Sequence, residues 1–497
     1  MIFVGRRFCS NFLNTTSFSS PKYFKNVLLK LSDGNVMRYE DMNVLSAKYA
    51  TILNTNYNVK KGDRVLSRVT KSVDSLALYL GTLRLGAIYI PVNPMYTLKE
   101  TKHFVEDSEP KVFVTLDHEK DRTFNSLVPH VVDENKLSIE CTNSTSPDMS
   151  IEPVSNDDIA CICYTSGTTG LPKGAMITHG GLTSSAENLS SFWRFTSNDT
   201  LLHMLPFYHI HGLFLSLSCS LFSHSSMIWI NKFSVEDAIK YLPISTVMMG
   251  VPTFYTRLLK SPKFVSQNHS NIRLFVSGSA PLTPAVWREF KKVVGKEIIE
   301  RYGMTETMVI TSNPYDGERI PGSVGVPLPG TKIRINDNNV VEVKSDSLFK
   351  GYWKNPEKTK KEFTDDGYFI TGDMGMINDN GYLSILGRNK DLIISGGLNV
   401  YPKEVEDVID HIPFVSESAV IGVPHSDLGE CVVAVVCTKD KLINDKDRED
   451  VIREECRKEL AGYKVPKKVI FIDELPRNSM SKIQKNILRD TYKTLKL

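Results

Sequence analysis

The sequence is poor in the features that mark several classes of protein. Its 497 residues include only 8 cysteines, too few for a disulfide scaffold in a chain of this length. Cys161 and Cys163, inside the apolar run IACICY, lack the spacing of a zinc site. We therefore expect buried thiols in a reducing compartment, and neither disulfides nor a structural metal.

Net charge and long apolar runs are also missing. Lys+Arg 60 against Asp+Glu 57 leave a formal charge of +3, so no overall field attracts nucleic acid or an anionic membrane. Apolar stretches such as GLFLSLSCSLF, from Gly212, are broken by serines and fall short of the roughly 18 apolar residues of a spanning helix. These absences predict a soluble protein with small-molecule partners. Its oligomeric state is left open.

The first thirty residues differ from the rest in composition. They are rich in Ser, Thr and Asn and contain no acidic residue, since the first one in the chain is Asp33. They carry five basic residues: Arg6, Arg7, Lys22, Lys25 and Lys30. This composition is typical of a mitochondrial transit peptide. We predict a transit peptide over residues 1–20 and a location in the mitochondrial matrix. A frayed tail on a cytosolic protein is the alternative.

The remaining chain divides into two parts by pattern. Strand-like and helix-like pieces alternate from about Val36, as in KGDRVLSRV followed by SVDSLALYLGTLRLGAIYIPV. Such alternation predicts an α/β fold with parallel-rich sheets covered by helices. The last hundred residues read as a compact α+β module. We therefore predict a large N-terminal domain over 21–387 and a smaller C-terminal domain over 388–497.

The densest motif is YTSGTTGLPKG, from Tyr164 to Gly174, directly after an apolar strand. Its hydroxyls and glycine N–H groups suit phosphate oxygens, and its lysine adds a point charge. It is not a Walker loop, because Pro172 precedes the lysine and Gly174 follows it. The motif predicts a phosphate-binding loop with seven candidate residues: Thr165, Ser166, Gly167, Thr168, Thr169, Gly170 and Lys173.

Four more motifs follow in order along the chain. They are ERYGMTE from Glu300, YFITGD from Tyr368, GRNKD from Gly387 and PRNSMSK from Pro476. With the phosphate loop, this ordered set resembles the adenylate-forming superfamily of acyl-CoA synthetases, luciferases and peptide-synthetase adenylation domains. Longer phrases, such as LPFYHIHGLF from Leu205, resemble the malonyl-CoA synthetases.

The resemblance implies an AMP-forming ligase that uses ATP, Mg²⁺ and CoA. It adds to the fold a small β-rich subdomain, and makes the C-terminal domain mobile about a hinge at Lys390. It implies four catalytic residues, Lys482, Thr305, Glu306 and Arg388, with Glu306 and Thr168 as metal ligands. It implies ATP contacts, besides the phosphate loop, from Gly278, Ser279, Ala280, Glu300, Arg301, Tyr302, Gly303, Met304, Thr305, Asp373, Arg388 and Lys482. Gly396, Gly397 and Leu398 would line the CoA tunnel.

The acid is the least determined substrate. Arg257 stands where the resemblance places the acyl pocket, and a guanidinium there would bind a second carboxylate. His209, His211 and Ser277 would line the same pocket. These residues predict conversion of malonate, and of methylmalonate, to the CoA thioester through an acyl-adenylate. The alternatives are a medium-chain or aryl acyl-CoA synthetase, or a non-catalytic nucleotide- or CoA-binding relative.

Two positions depart from the family pattern. Ser481 stands before the predicted catalytic lysine, where the family usually has glycine. The segment from Gly330 to Val343 is roughly a dozen residues shorter than the family hairpin, well beyond the two to five residues of a typical hairpin loop. We expect altered strand pairing near Asn338, away from the phosphate loop, with the chemistry retained.

Overall fold

The structure is a computed structural model that describes residues 11–16, 18, 20–165, 171–396, 398–425, 427–439, 445–478 and 482–495. The strands are β1 (Val27–Leu31), β2 (Val36–Arg38), β3 (Arg64–Arg68), β4 (Ile88–Pro91), β5 (Val112–Thr115), β6 (His130–Asp133), β7 (Ile159–Thr165), β8 (Lys173–Thr178), β9 (Thr200–His203), β10 (Ser226–Trp229), β11 (Val247–Gly250), β12 (Leu274–Ser277), β13 (Ile298–Met304), β14 (Met308–Ser312), β15 (Val326–Pro327), β16 (Lys332–Ile335), β17 (Val340–Lys344), β18 (Phe369–Ile377), β19 (Leu383–Arg388), β20 (Ile393–Ser395), β21 (Leu398–Val400), β22 (Val415–His425), β23 (Gly429–Thr438) and β24 (Lys468–Phe471). The helices are α1 (Tyr39–Thr55), α2 (Val73–Arg84), α3 (Leu98–Ser108), α4 (His118–Asp121), α5 (Glu134–Asn143), α6 (His179–Phe192), α7 (Leu217–Ser223), α8 (Val235–Tyr241), α9 (Pro252–Leu259), α10 (Pro262–Val265), α11 (Pro284–Val294), α12 (Pro356–Lys361), α13 (Pro402–Asp410), α14 (Asp445–Glu459) and α15 (Lys485–Tyr492).

Two large sheets form the N-terminal part of the molecule. One has nine strands in the order β15-β14-β13-β12-β11-β9-β10-β1-β2, and the other six in the order β6-β5-β3-β4-β7-β8. Their central strands pair in parallel, and many of these strands are buried along their whole length, as expected where helices cover both faces. This confirms the predicted α/β class.

A four-stranded antiparallel sheet, β16-β17-β18-β19, follows the large sheets and corresponds to the expected β-rich subdomain. The short segment near Asn338 closes a regular hairpin, in which β16 and β17 pair from Lys332↔Lys344 to Ile335↔Val341. Asn339 takes a positive φ of 59° in this turn, a conformation that asparagine tolerates better than most residues. The irregular pairing lies on the other side of β17, between Val340 and Glu342 against β18.

The C-terminal part has its own sheet, in which β23 pairs with β20, β22 and β24. Alternate residues of β22 and β23 enter two separate apolar clusters, because successive strand residues point to opposite faces. One cluster includes Val405 of α13 and Ile452 of α14, and the other includes Leu488 of α15. The strands are therefore buried on both faces without help from the N-terminal sheets.

The described part of the predicted transit peptide belongs to the folded core. Phe12 and Leu13 are 0% exposed and Phe18 is 4% exposed. The Asn11 side chain donates to Leu83 O at 2.6 Å, and Phe12 N donates to His179 Nδ1 at 3.1 Å. Cleavage at the predicted boundary, residue 20, would remove these contacts and expose core, and the boundary itself stays a prediction. Residues 1–10 lie outside the described residues.

Two expectations from composition concern thiols and membranes. Every cysteine that the structure describes is buried and outside any disulfide, as expected. Among the described helices, none has both the length and the apolar character needed to cross a bilayer.

The packing of the N-terminal segment predicts a loss of stability on its removal. Phe12→Ala should cost about 3 to 5 kcal/mol, since it leaves a cavity in the core, and a chain beginning at Pro21 should be destabilised further. Thermal unfolding measures both effects. Met95→Ala is the control because Met95 is 83% exposed. A chain beginning at Pro21 that melts with the full-length protein would contradict this packing.

Candidate active site

The motif residues meet at one edge of the nine-stranded sheet. Ser277 ends β12 and pairs with Glu300 of β13, so the Gly278–Ala280 turn and the ERYGMTE segment leave the sheet side by side. The carboxyl edge of parallel strands is where ligands of α/β proteins bind. Ser279 has a positive φ of 70° in this turn, a strained conformation of the kind found at functional sites.

Three residues predicted to bind the nucleotide are in direct contact. The Tyr302 hydroxyl donates to Asp373 Oδ2 at 2.6 Å, and Arg388 Nε lies 3.3 Å from Asp373 Oδ1. Strands β18 and β19 impose the second contact, because Asp373 and Arg388 are paired in register. Burial, followed by the charge of Asp373, raises the pKa of Tyr302, so the phenol stays a donor. A carboxylate acceptor and a guanidinium donor thus stand beside an aromatic ring.

A buried carboxylate lies next to the phosphate loop. Glu306 is 4% exposed and accepts hydrogen bonds from Tyr352 Oη at 3.0 Å and Thr165 Oγ1 at 3.3 Å. Burial raises its pKa, and a cation would restore the charged form. Mg²⁺ typically needs only one or two protein carboxylates beside substrate phosphates. Glu306 therefore fits a magnesium ligand that neutralises phosphate charge.

The phosphate loop itself is only partly described. Thr165 ends β7 and Lys173 begins β8, and these two residues pair across the antiparallel strands. Lys173 Nζ lies 5.7 Å from the centre of the ring of Tyr352, the residue whose hydroxyl donates to Glu306. The five remaining predicted residues, Ser166, Gly167, Thr168, Thr169 and Gly170, lie outside the described residues.

Lys482 reaches this cleft from the C-terminal part. Its backbone is fixed by Asn478, whose N donates to Lys482 O at 3.0 Å and whose Oδ1 accepts from Lys482 N at 3.0 Å. Burial lowers the pKa of Lys482 to about 8, and the nearby charges include Arg388, Asp373, Glu306 and Arg301. The lysine thus lies among the predicted nucleotide residues. Ser481 is outside the described residues.

A second group of polar atoms faces the same cleft without partners. Arg301 is 4% exposed and His211 is 2% exposed. Arg301 Nε and Nη2, His211 Nε2 and Ser277 Oγ are all buried and have no hydrogen-bond partner among the described residues. Buried polar groups are normally satisfied. These atoms therefore mark a place for a polar ligand, and the guanidinium calls for an anion.

Hydrogen bonds hold the two histidines in place. His211 Nδ1 lies 3.1 Å from Ser279 Oγ, and His209 Nδ1 accepts from His211 N at 3.3 Å. Burial lowers the pKa of His209 to about 3 and that of His211 well below its usual value. Both imidazoles are therefore neutral. His211 begins a π-helix, His211–Ser216, a form often found at functional sites.

Arg257 lies on the helix that follows strand β11. It is exposed on α9, whose buried face is formed by Phe254, Tyr255 and Leu258. Its predicted role in acid binding stays a prediction. The buried guanidinium is that of Arg301, which the resemblance assigned to ATP. The sequence around Arg301 did not predict an acid-binding role for this residue.

The other predicted residues surround the cleft or lie farther away. Glu300 accepts from Leu282 N at 3.0 Å through Oε1, which ties the turn to β13. Thr305 lies at the β13–β14 turn, between Met304 and Glu306. At Gly303 a Cβ would collide with Met308 O.

In the C-terminal part, Gly396 and Leu398 are exposed at the β20–β21 turn, with Gly397 outside the described residues. Lys390 lies in the short turn Asn389–Asp391. Tyr352 was missed because it lies outside the motifs that carry the family resemblance.

Comparison with known proteins identifies the family. A model of the AMP-binding enzymes matches residues 21–353, and a model of the AMP-binding enzyme C-terminal domain matches residues 404–482. The chain belongs to the AMP-binding enzyme family. This places it in the adenylate-forming superfamily, as its motifs predicted.

Individual relatives cover almost the whole chain. A malonate–CoA ligase of Arabidopsis thaliana is 36% identical over 86% of this chain and 78% of its own length. A long-chain-fatty-acid–CoA ligase of Yersinia pestis is 32% identical over 94% of this chain and 93% of its own length. The crystal structure of ATP-bound MatB from Rhodopseudomonas palustris superposes with a TM-score of 0.93 at 43% identity, covering 98% of this chain and 99% of that one.

The family and the site together give the general activity. The protein is an AMP-forming acyl-CoA ligase whose small-molecule substrates include ATP and CoA, and whose metal is Mg²⁺. An acid carboxylate oxygen attacks the α-phosphate and pyrophosphate leaves. The CoA sulfur then attacks the acyl carbonyl, and AMP leaves with the bonding electrons. Cations at the α-phosphate stabilise the charge that builds in the first step.

The position of Lys482 predicts a separation of the two half-reactions. Lys482→Ala should slow pyrophosphate exchange by about 10²- to 10³-fold, because it removes a cation from the adenylation site. Thioester formation from supplied acyl-adenylate should stay within about fivefold. Lys493→Ala, an exposed lysine on the same chain segment, is the control. Equal loss in both half-reactions would refute this role.

The lowered pKa of Lys482 predicts an alkaline limit. Only the ammonium form stabilises anionic charge, so kcat/KM for ATP should fall tenfold per pH unit above about 8. Steady-state rates from pH 6 to 10 measure this profile. In a Lys482→Arg variant the residual activity should not fall in that range, since arginine stays protonated. The same alkaline limb in both proteins would assign it to another group.

Proposed function

We propose that this ligase activates malonate, and also methylmalonate, to give malonyl-CoA and methylmalonyl-CoA. One carboxylate of the acid lies beside Lys482 and becomes the adenylate. The other carboxylate pairs with Arg301 and accepts hydrogen bonds from His211 and Ser277. A short diacid therefore spans the cleft between two cations.

The observation that carries this proposal is the guanidinium of Arg301, which has no hydrogen-bond or ion-pair partner among the described residues. A buried cation without a counter-ion is unfavourable, and burial lowers the pKa of Arg301 to about 10. A carboxylate ligand would remove that penalty. Two nitrogens, Nε and Nη2, are available to it, in the fork that binds a carboxylate bidentately.

The neighbouring residues support an anion rather than an apolar chain. After burial, the charges of Lys482 and Arg301 lower the pKa of His209, so this residue lies near both cations. Gly278 makes room for Arg301, because a Cβ at this position would overlap the guanidinium. A fatty acyl chain would leave the Arg301 charge buried and unpaired. The pocket therefore favours the substrate of the malonate–CoA ligase over that of the long-chain-fatty-acid–CoA ligase.

The mitochondrial location is part of the same proposal. Any transit peptide that is cleaved would have to end before Asn11, since the residues that follow are in the core. Import of the full chain into isolated mitochondria, followed by N-terminal sequencing, tests this point. Cleavage after Asn11 or after any later residue would contradict the packing of the segment.

Replacing Arg301 tests the diacid site. Arg301→Met should raise KM for malonate by about 30- to 150-fold, which corresponds to about 2 to 3 kcal/mol for a charged hydrogen-bonded contact. Butanoate, which has an ethyl group where malonate has its distal carboxylate, should become a better substrate of this variant than of the wild-type protein. Initial rates of AMP release measure both acids.

Arg257→Met is the matched control, because Arg257 is an exposed arginine near the same sheet. It should leave the acid profile unchanged. An unchanged profile in Arg301→Met would refute the diacid site, and an altered profile in Arg257→Met alone would support the sequence prediction for Arg257 instead. Wild-type activity that is highest on octanoate or benzoate would keep the ligase and reject malonate.

A further inference from the structure

Lys71 is a buried lysine without a carboxylate partner. It is 6% exposed and lies between β3 and α2. Its Nζ is 2.7 Å from His203 Nδ1, 2.7 Å from His203 O and 2.6 Å from Ile230 O. No ion pair joins it to any carboxylate in the part of the chain that the structure describes. Lysine is rarely buried in this way, and the adenylation chemistry does not use it.

Burial lowers the pKa of both Lys71 and His203, but the geometry of their hydrogen bonds requires one positive charge on the pair. His203 Nε2 lies 3.0 Å from Gly212 O, and a carbonyl only accepts, so Nε2 carries the proton. If both side chains were neutral, Nζ would have only two hydrogens, and these would go to the carbonyl oxygens of His203 and Ile230. The lone pair of Nζ would then face the lone pair of His203 Nδ1. One additional proton, on either atom, gives every contact a donor and an acceptor. The charge is therefore built into the network.

The network holds both ends of the segment that carries His209 and His211. His203 is the last residue of β9, and Gly212 follows His211 in the π-helix. Between them the chain is compact, since Gly212 N donates to His209 O at 3.1 Å and a Cβ on Gly212 would collide with Pro206 O. A shift of the Gly212 carbonyl would therefore move His211.

A second contact reaches the middle of the same segment. Lys71 Nζ lies 4.2 Å from the centre of the Trp229 ring, within the range of a cation–π interaction. Trp229 packs edge-on against Phe207, with ring centres 5.4 Å apart. Lys71 thus supports the 204–211 segment at Phe207 as well as at Gly212.

We propose that Lys71 and His203 are positioning residues for acid binding: they hold the His209–Gly212 turn so that His211 Nε2 faces Arg301. This inference rests on the proposed function, because it takes His211 as part of the acid site. Neither residue touches the reacting atoms. Their effect is on the affinity for the acid, and the nucleotide contacts made by Tyr302, Asp373 and Arg388 come from other elements.

The test compares KM for the acid with KM for ATP. Lys71→Met keeps the length of the side chain and removes its charge and donors. It should raise KM for the acid at least tenfold and leave KM for ATP within about twofold. Lys60→Met, an exposed lysine on the loop before β3, is the control. A variant that only lost folded protein would lower the apparent kcat with both KM values unchanged, and this result would overturn the proposal.

Variants of His203 keep the test decisive if Lys71→Met does not fold. His203→Phe removes both ring nitrogens, whereas His203→Gln retains a donor that can reach Gly212 O. We expect a KM increase for the acid in His203→Phe and a smaller one in His203→Gln. Equal effects of the two variants would contradict a role through Gly212.

A double-variant cycle tests whether the two residues act as one unit. If Lys71 acts through His203, Lys71→Met combined with His203→Phe should be no worse than the more damaging single variant. Independent, multiplicative increases in KM would overturn the pairing. The acid used is the one that the wild-type protein converts best. A preference for octanoate would therefore reject malonate, and the KM comparison would still decide the role of Lys71.

Discussion

The cleft depends on buried positive charges that form no ion pair within the part of the chain that the structure describes. Arg301 has no partner among the described residues, and burial lowers the pKa values of both Arg301 and Lys482. Each cation is unfavourable in the empty site and becomes favourable when phosphate or carboxylate oxygens arrive. Substrate binding thus completes an electrostatic arrangement that the fold prepares, which is the preorganisation that catalysis of charge development needs.

Packing determines where these charges point. Arg301 lies across the turn after β12 because Gly278 has no side chain to exclude it. Lys482 is held on a short loop of a separately packed domain, next to Lys485, which pairs with Glu406 at 2.6 Å. One cation is therefore fixed on the large sheet, while the other is delivered by the C-terminal part. The adenylation cleft therefore combines Arg301 of the N-terminal part with Lys482 of the C-terminal part.

Sequence reasoning was most successful where a residue is defined by its motif. The order of motifs predicted the fold class and brought Tyr302, Asp373, Arg388, Glu306 and Lys482 to one cleft, because local spacing and strand register determine their positions. The role of Arg257 stays a prediction, because the helical period places this arginine at the flank of the buried face formed by Phe254, Tyr255 and Leu258. The direction of Arg301 depends on Gly278, and the partner of Lys71 is 132 positions away. Such contacts are set by tertiary packing and leave no local pattern.

The N-terminal segment shows a different limit of composition. Phe12, Leu13 and Phe18 are apolar residues among Ser, Thr and Asn, and the same mixture is typical of targeting peptides and of a chain end that packs into a core. Only the contacts with α2 and His179 separate the two cases.

The central claim is that the protein reads a second carboxylate on its acid substrate. The most direct measurement is kcat/KM of the wild-type ligase for malonate and for monomethyl malonate, which keeps the reactive carboxylate and carries a neutral methyl ester in place of the distal charge. We expect a preference for malonate of about 100-fold or more, as the loss of a buried charged pair implies. Equal use of the two acids, or a preference for the ester, would contradict the account.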